Sequence, residues 1–374
     1  MGGSLGLSLK NRRGLMKLKI PYQDKITLGY SLARSAHFAV QQFSLPIFEF
    51  LSTGKRPKRP SLEPQNLKKV YTELYSLLKK DSENIARGLY PLEVLKPENA
   101  SEHLRRYPRI IMDGYKISKR RDAKNQKDFQ GEAEDFLKDL PDYYQRNFHF
   151  QTDGYLTKES ADLYEHQVEI LFSGSADAMR RLIIPLVKDV YPGDGEGLHF
   201  LEVAAGTGRL TRFMKLAFPK AKITVLDLSY PYLKKAQENL HEFTRMDFVQ
   251  GAGEDLPFQD EKFDLVYSCF LFHELPIEVR RQSVAEAYRV LKPGGLMGLV
   301  DSVQKDDAKD LEWALEQFPV DFHEPFYKNY TLNPMEGLMT YRGFGNINKN
   351  LGFFSKAVVG QKPAQGEEKE PISS

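Results

Sequence analysis

Residues 199–227, HFLEVAAGTGRLTRFMKLAFPKAKITVLD, carry the reading that decides the fold. An apolar run of Phe200, Leu201 and Val203 enters a turn of small residues, Ala204-Ala205-Gly206-Thr207-Gly208. Leu210, Phe213, Met214 and Ala217 follow at i, i+3, i+4 and i+7, the spacing of one helix face. A second apolar run, Ile223 to Leu226, ends in Asp227. Strand, glycine-rich loop, helix and strand make a βαβ unit. It sets a loop without bulky side chains beside an acidic residue at the carboxyl end of the neighbouring strand, an arrangement that holds a nucleoside. A dinucleotide site would place G-x-G-x-x-G directly after the first strand, with the pyrophosphate on the helix N-terminus. Here the order is E-x-A-x-G-x-G from Glu202, and Thr211 stands where a third glycine would fall. A carboxylate at position 202 suits an amine better than a phosphate.

On these residues the stretch resembles motif I of the class I S-adenosylmethionine (SAM)-dependent methyltransferases. Glu202, Gly206 and Gly208 match its E-x-G-x-G-x-G, with Ala204 in place of the first glycine. Asp227 resembles the acidic residue with which that family holds the ribose hydroxyls. The likeness extends over residues 165–302 and is nearest the quinone and sterol methyltransferase-like branch. GAGEDLPFQDEKFDLVYSCFLFHELP (251–276) is similar to that branch's third-strand loop and fourth strand, and RVLKPGGLMGLVD (289–301) to its turn into strand 5. One departure is Ala252, where the family often has an Asp on the adenine amino group. Glu254 or a backbone carbonyl is the expected substitute.

The resemblance implies an α/β fold, a Rossmann-like seven-stranded and mostly parallel sheet with an antiparallel edge strand, carrying a mainly helical N-terminal extension. It also implies SAM as cofactor, held by Glu202, Ala204, Gly206, Gly208, Asp227, Leu228, Gly253, Glu254, Asp255 and Ser268. Of these, Gly206, Asp227, Glu254 and Ser268 fall at the carboxyl edge of the strands, where parallel sheets bind ligands.

The 374 residues suffice for one α/β domain with large additions, and 41% hydrophobic with 28% charged residues is the balance of a soluble globular chain. The net charge of +2 hides an asymmetry, because residues 1–60 carry +9 and the remainder −7. A single cysteine, Cys269, excludes an internal disulfide framework. There is no apolar run of membrane-spanning length. The first 23 residues are basic and lack acids, yet no apolar stretch of signal-peptide type follows, so a cytoplasmic or membrane-associated location is expected and organelle targeting stays open.

Five segments are expected. Residues 1–64 are a basic N-terminal helix and linker. Residues 65–164 form a helical and aromatic cap region, and 165–302 the cofactor-binding core. Residues 303–360 complete the core and add substrate-pocket elements, and 361–374 form a disordered tail. Within the first segment, ITLGYSLARSAHFAVQQFSLPIFEFL (26–51) reads as an apolar helix closed by Pro46 and followed by the basic GKRPKRP (54–60). Region 26–60 either rests on an anionic membrane or packs on the main domain with a solvated linker. Nucleic acid is disfavoured, since the remaining chain is acidic. PDYYQRNFHFQTDGYL (141–156) sets Tyr143, Tyr144, Phe148, His149, Phe150 and Tyr155 among polar residues, which makes either a pocket wall or plain core.

Methyl transfer needs alignment, water exclusion and sometimes removal of a proton. The expected catalytic residues are His273 and Glu274 after strand 4, and His323 with Glu324 and an orienting Tyr327 further on. Neither His-Glu pair has the i, i+4 spacing of HExxH, so no metal is expected. The acceptor is expected to be small and lipophilic. A protein or RNA methyltransferase is one alternative, and a SAM-binding scaffold without turnover is the other.

Overall fold

A computed structural model describes residues 22–53, 63–97, 100–123, 125, 127–129, 131–137, 140–308, 311–322 and 324–366. The sheet strands are β1 (His199–Val203), β2 (Lys222–Asp227), β3 (Met246–Gln250), β4 (Phe263–Cys269), β5 (Leu291–Ser302), β6 (Gly345–Gly352) and β7 (Ser355–Gln361). Their order across the sheet is β3-β2-β1-β4-β5-β7-β6. The first five run parallel, with Val203 beside Leu226 and Ser268, and Asp227 beside Gln250, so their carboxyl ends line up. β7 runs antiparallel between β5 and β6, and the last two strands close that side of the sheet as a hairpin.

The alternation of side chains along each strand sorts the core into two layers. Phe200, Val225 and Tyr267 face one layer, while Leu201, Leu226 and Val266 face the other. The first layer is covered by α7 (Ile183–Val190) and α8 (Arg209–Ala217), the second by α10 (Ile277–Val290) and α13 (Met335–Arg342). Helix α8 buries Leu210, Phe213, Met214 and Ala217 as the periodicity predicts. Helix α9 (Tyr230–Asn239) begins at Ser229, whose hydroxyl accepts the Tyr232 N–H.

The N-terminal extension is helical: α1 (Gln23–Thr53), α2 (Pro64–Ala86), α3 (Ala100–Ala123), α4 (Glu132–Phe136), α5 (Lys158–Leu171) and α6 (Ala176–Arg180). The short helices α11 (Glu312–Phe322) and α12 (Tyr327–Leu332) lie between β5 and α13. The extension is tied to the core by buried charge as well as apolar surface. Arg181 holds Asp81 of α2 through two hydrogen bonds of 2.8 and 2.6 Å, and the Tyr90 hydroxyl donates to the same carboxylate at 2.7 Å.

Several boundaries differ from expectation. α1 runs through Pro46 instead of ending there, forgoing the hydrogen bond that a proline cannot donate. Residues 176–190 form two helices, α6 and α7, separated at Arg181 and Leu182. β6 has no apolar alternation to announce it, since GNINKNLG is an edge strand with mostly solvated side chains. Residue 361 was expected to open the tail. Gln361 closes β7, and the Lys362 N–H donates to the Gly295 carbonyl at 2.8 Å. Residues 1–21, 54–62 and 367–374 lie outside the described residues.

Candidate active site

The loop after β1 turns through left-handed backbone conformations that residues other than glycine adopt less readily. Gly206 and Gly208 have φ of 58° and 80°, and Ala204, in the place of the first glycine, keeps φ at 53°. A Cβ on Gly208 would lie 2.7 Å from Leu240 Cδ1, so α8 and α9 approach each other only across a glycine. The loop turns the Gly206 N–H onto Asp227 Oδ2 at 2.7 Å, while the Ser229 N–H donates to Oδ1 at 2.8 Å. Burial pushes the Asp227 carboxyl up to about 7 against these two hydrogen bonds, and the nearby Glu274 adds to the rise.

Asp227 opens onto a cleft of about 750 Å³, solvent at its mouth included. Ala204, Gly206, Asp227, Leu228, Gly253, Glu254 and Glu274 line it, as do Ala252 and Ser283. Opposite stands the aromatic segment: Tyr143, Tyr144, Phe148 and Tyr155, joined by Tyr164 of α5 and Tyr232 of α9. Phe148 and Tyr155 stack with ring centroids 5.1 Å apart, so this segment is both core and pocket wall. The Tyr143 hydroxyl donates to Glu254 at 2.5 Å, and the Tyr155 hydroxyl to Glu274 at 2.7 Å.

Beneath the aromatic wall sits a charge cluster that local sequence does not reveal. His149, itself at φ 54°, places Nε2 3.3 Å from Glu274 and Nδ1 3.0 Å from Glu324. Burial alone would lower this histidine's pKa, but the Glu324 and Glu274 carboxylates override it and push it up to about 10. The imidazole is therefore a cation at neutral pH. Glu324 is 2% exposed; its Oε1 faces His149 Nδ1, and its Oε2 has no hydrogen-bond partner among the described residues. One ligand atom from each of His149, Glu274 and Glu324 falls within 4.8 Å of the others, close enough to surround a metal ion, although no such site was expected.

Other expected residues are placed differently. Glu202 lies behind the loop, where its carboxylate accepts the Thr211 hydroxyl, and burial pushes it up to about 8; it does not line the cleft. Gly208 shapes the loop without lining the cleft, Ser268 is buried in β4, and Asp255 points to solvent. Ala252 lines the cleft but brings no carboxylate, and Glu254 is already engaged by Tyr143.

His273 does not face the cleft. Its Nδ1 lies 2.6 Å from Asp301, and although burial lowers its pKa, that carboxylate outweighs burial and raises it to about 9. At neutral pH this ring is a buried cation, unsuited to accept a proton. Tyr327 hydrogen-bonds Ser302 at 2.6 Å, also away from the cleft, and His323 lies outside the described residues. Cys269 packs against the core and lines the cleft, and burial holds its thiol neutral.

Residues 200–295 match a family model described as a methyltransferase domain. Three curated relatives are similar to parts of the chain. A probable phthiotriol/phenolphthiotriol dimycocerosates methyltransferase of Mycobacterium ulcerans is 36% identical over 125 residues, 33% of this chain and 46% of that protein. A fatty-acid O-methyltransferase of Mycolicibacterium smegmatis is 30% identical over 178 residues, 46% of this chain and 58% of that protein. A ubiquinone/menaquinone biosynthesis C-methyltransferase of Pseudoalteromonas translucida is 35% identical over 107 residues, 28% of this chain and 42% of that protein. The chain spans about half the length of the curated relatives it matches.

Proposed function

We propose, from the premise that residues 200–295 are a methyltransferase domain of the SAM-dependent class, that this protein transfers a methyl group from SAM to a small lipophilic acceptor. The observation that carries the reading is Asp227, a buried carboxylate fixed by two backbone N–H groups at the edge of a cleft walled by aromatic rings. Its free lone pairs suit the two hydroxyls of a ribose. The cleft fits the cofactor in a second respect. The Ser283 hydroxyl, 5% exposed, lines the cleft with no hydrogen-bond partner among the described residues and offers a polar contact to a bound ligand.

SAM, when bound, supplies an electrophilic methyl group on sulfur. Asp227, the loop Ala204–Gly206 and Leu228 would hold it, and Tyr143, Tyr144, Phe148 and Tyr155 would exclude water and pack against the acceptor. Glu274 is the carboxylate placed to take a proton from an acceptor hydroxyl or amine. His149 and the Tyr155 hydroxyl hold its oxygen in place, and the imidazolium is already protonated. The lipophilic acceptor is supported by the aromatic wall and by relatives whose names specify fatty acids, phthiotriol dimycocerosates and quinones.

Calorimetric titration with SAM, S-adenosylhomocysteine and NAD tests the cofactor. Micromolar binding of the first two and none of the third is expected, abolished in Asp227→Ala. Folded protein that binds neither sulfur ligand would refute the reading. Binding without any S-adenosylhomocysteine formed in cell extract would leave a SAM-binding scaffold.

A further inference from the structure

Helix α1 carries large apolar side chains on its water-facing side as well as on its buried one. Its face against α2, α3 and α5 buries Phe38, which packs on Ile110, Leu163 and Ile170, together with the polar Thr27, Ser31, Ser35 and Gln41. Gln41 hydrogen-bonds His166 of α5 at 2.7 Å, and the Arg34 guanidinium reaches inward to Glu169 at 3.1 Å. The outward face carries Ile26, Tyr30, Val40, Phe43, Ile47 and Phe50. Ile26, Val40, Phe43 and Ile47 are each between 59% and 70% exposed, where a surface helix ordinarily presents charge. Between residues 26 and 47 the one Lys, Arg, Asp or Glu is Arg34, which is turned inward. An uncharged apolar face of this length marks an interaction surface.

The occupant is indicated by charge. Five basic residues without an acid lie between positions 10 and 19 ahead of the helix, and Lys55, Arg56, Lys58 and Arg59 follow it, so residues 1–60 carry +9 in a chain whose remainder is acidic. A protein partner for an uncharged stripe has no need of basic sequence at both ends. An anionic bilayer presents phosphates to the basic flanks and hydrocarbon just beneath to the apolar face. No helix among the described residues is long and apolar enough to cross a membrane, so the contact is with one leaflet. We propose that α1 docks this protein in the plane of an anionic phospholipid surface, with Ile26, Val40, Phe43 and Ile47 sunk below the headgroups. The inference is independent of methyl transfer, because binding is read without turnover.

The test is co-sedimentation of the full chain with vesicles of phosphatidylcholine, with and without phosphatidylglycerol. Pelleting with the anionic vesicles, weakened by salt, is expected. In the double variant Phe43→Glu/Ile47→Glu the affinity falls by about tenfold or more, although every basic residue is retained. Both side chains are exposed, so its thermal unfolding should match the wild type. Absence of pelleting overturns the proposal, as does a double variant that pellets like the wild type. A wild-type dimer that the double variant splits, with no vesicle binding, overturns it in favour of a second copy of the chain.

Discussion

Asp177 grips Arg209 through both carboxylate oxygens, with Nε 2.8 Å from Oδ1 and Nη2 2.5 Å from Oδ2. Arg209 opens α8 directly after Gly208, while Asp177 lies in α6 and also receives Arg34 of α1 at 3.3 Å. Alongside, the Thr207 hydroxyl donates to Glu165 of α5 at 2.6 Å, and Glu165 pairs with Arg180 at 2.9 Å. The glycine loop is thus held from outside the βαβ unit by charges of the helical extension. Burial would raise the Asp177 carboxyl, but Arg209 and its neighbouring arginines hold it well below the usual range.

Removing that carboxylate leaves buried guanidinium groups without their partner. Asp177→Asn is expected to destabilise the fold by about 3–5 kcal/mol in denaturant unfolding. It should also weaken SAM binding in calorimetry, although residue 177 does not line the cleft. Unchanged affinity would show that the loop holds its shape unaided.

Asp227 must be ionised to accept two ribose hydroxyls, and in the free protein its carboxyl is pushed up to about 7 by burial. Ligand binding that prefers the carboxylate tightens as pH rises through that value. SAM affinity should increase about tenfold between pH 6 and 8 and then level off, with a proton released on binding below the midpoint. Titration in buffers of different ionisation enthalpy reads that proton directly.

Glu274→Gln keeps a group that can accept the Tyr155 hydrogen bond but removes the proton acceptor. SAM binding should be retained, while kcat for an acceptor losing a proton falls by about a hundredfold or more. A similar fall in the affinity for SAM would instead make Glu274 part of the cofactor site.

The imidazolium cations have a consequence for stability. A histidine whose pKa is raised on folding contributes fully below its unfolded value of about 6.5. That contribution is lost as pH rises through about 9 for His273 and about 10 for His149. Thermal unfolding should therefore show stability declining between these values, with the upper part of the decline absent in His149→Gln.

Gly208→Ala tests the approach of two helices. The new Cβ would meet Leu240 at 2.7 Å on a backbone at φ 80°, and a loss of about 1–3 kcal/mol is expected in chemical denaturation.

The parts of this protein that were legible in the sequence are those that local rules decide. Glycines at positive φ, the 3.6-residue spacing of α8, and an acid ending an apolar run each depend on near neighbours, so the βαβ unit and Asp227 could be read directly. Ala204 could be read as well, because a small side chain tolerates the same turn. What the tertiary structure alone decided is where charge and surface end up. His149 meets Glu274 and Glu324 from remote parts of the chain, and its protonation follows from that meeting, whereas the more obvious His273 is taken by Asp301. The apolar periodicity of α1 announces a helix but not which way it faces. α3, α5 and α6 took up Phe38 together with the polar Arg34 and Gln41, and Ile26, Val40, Phe43 and Ile47 were left outward.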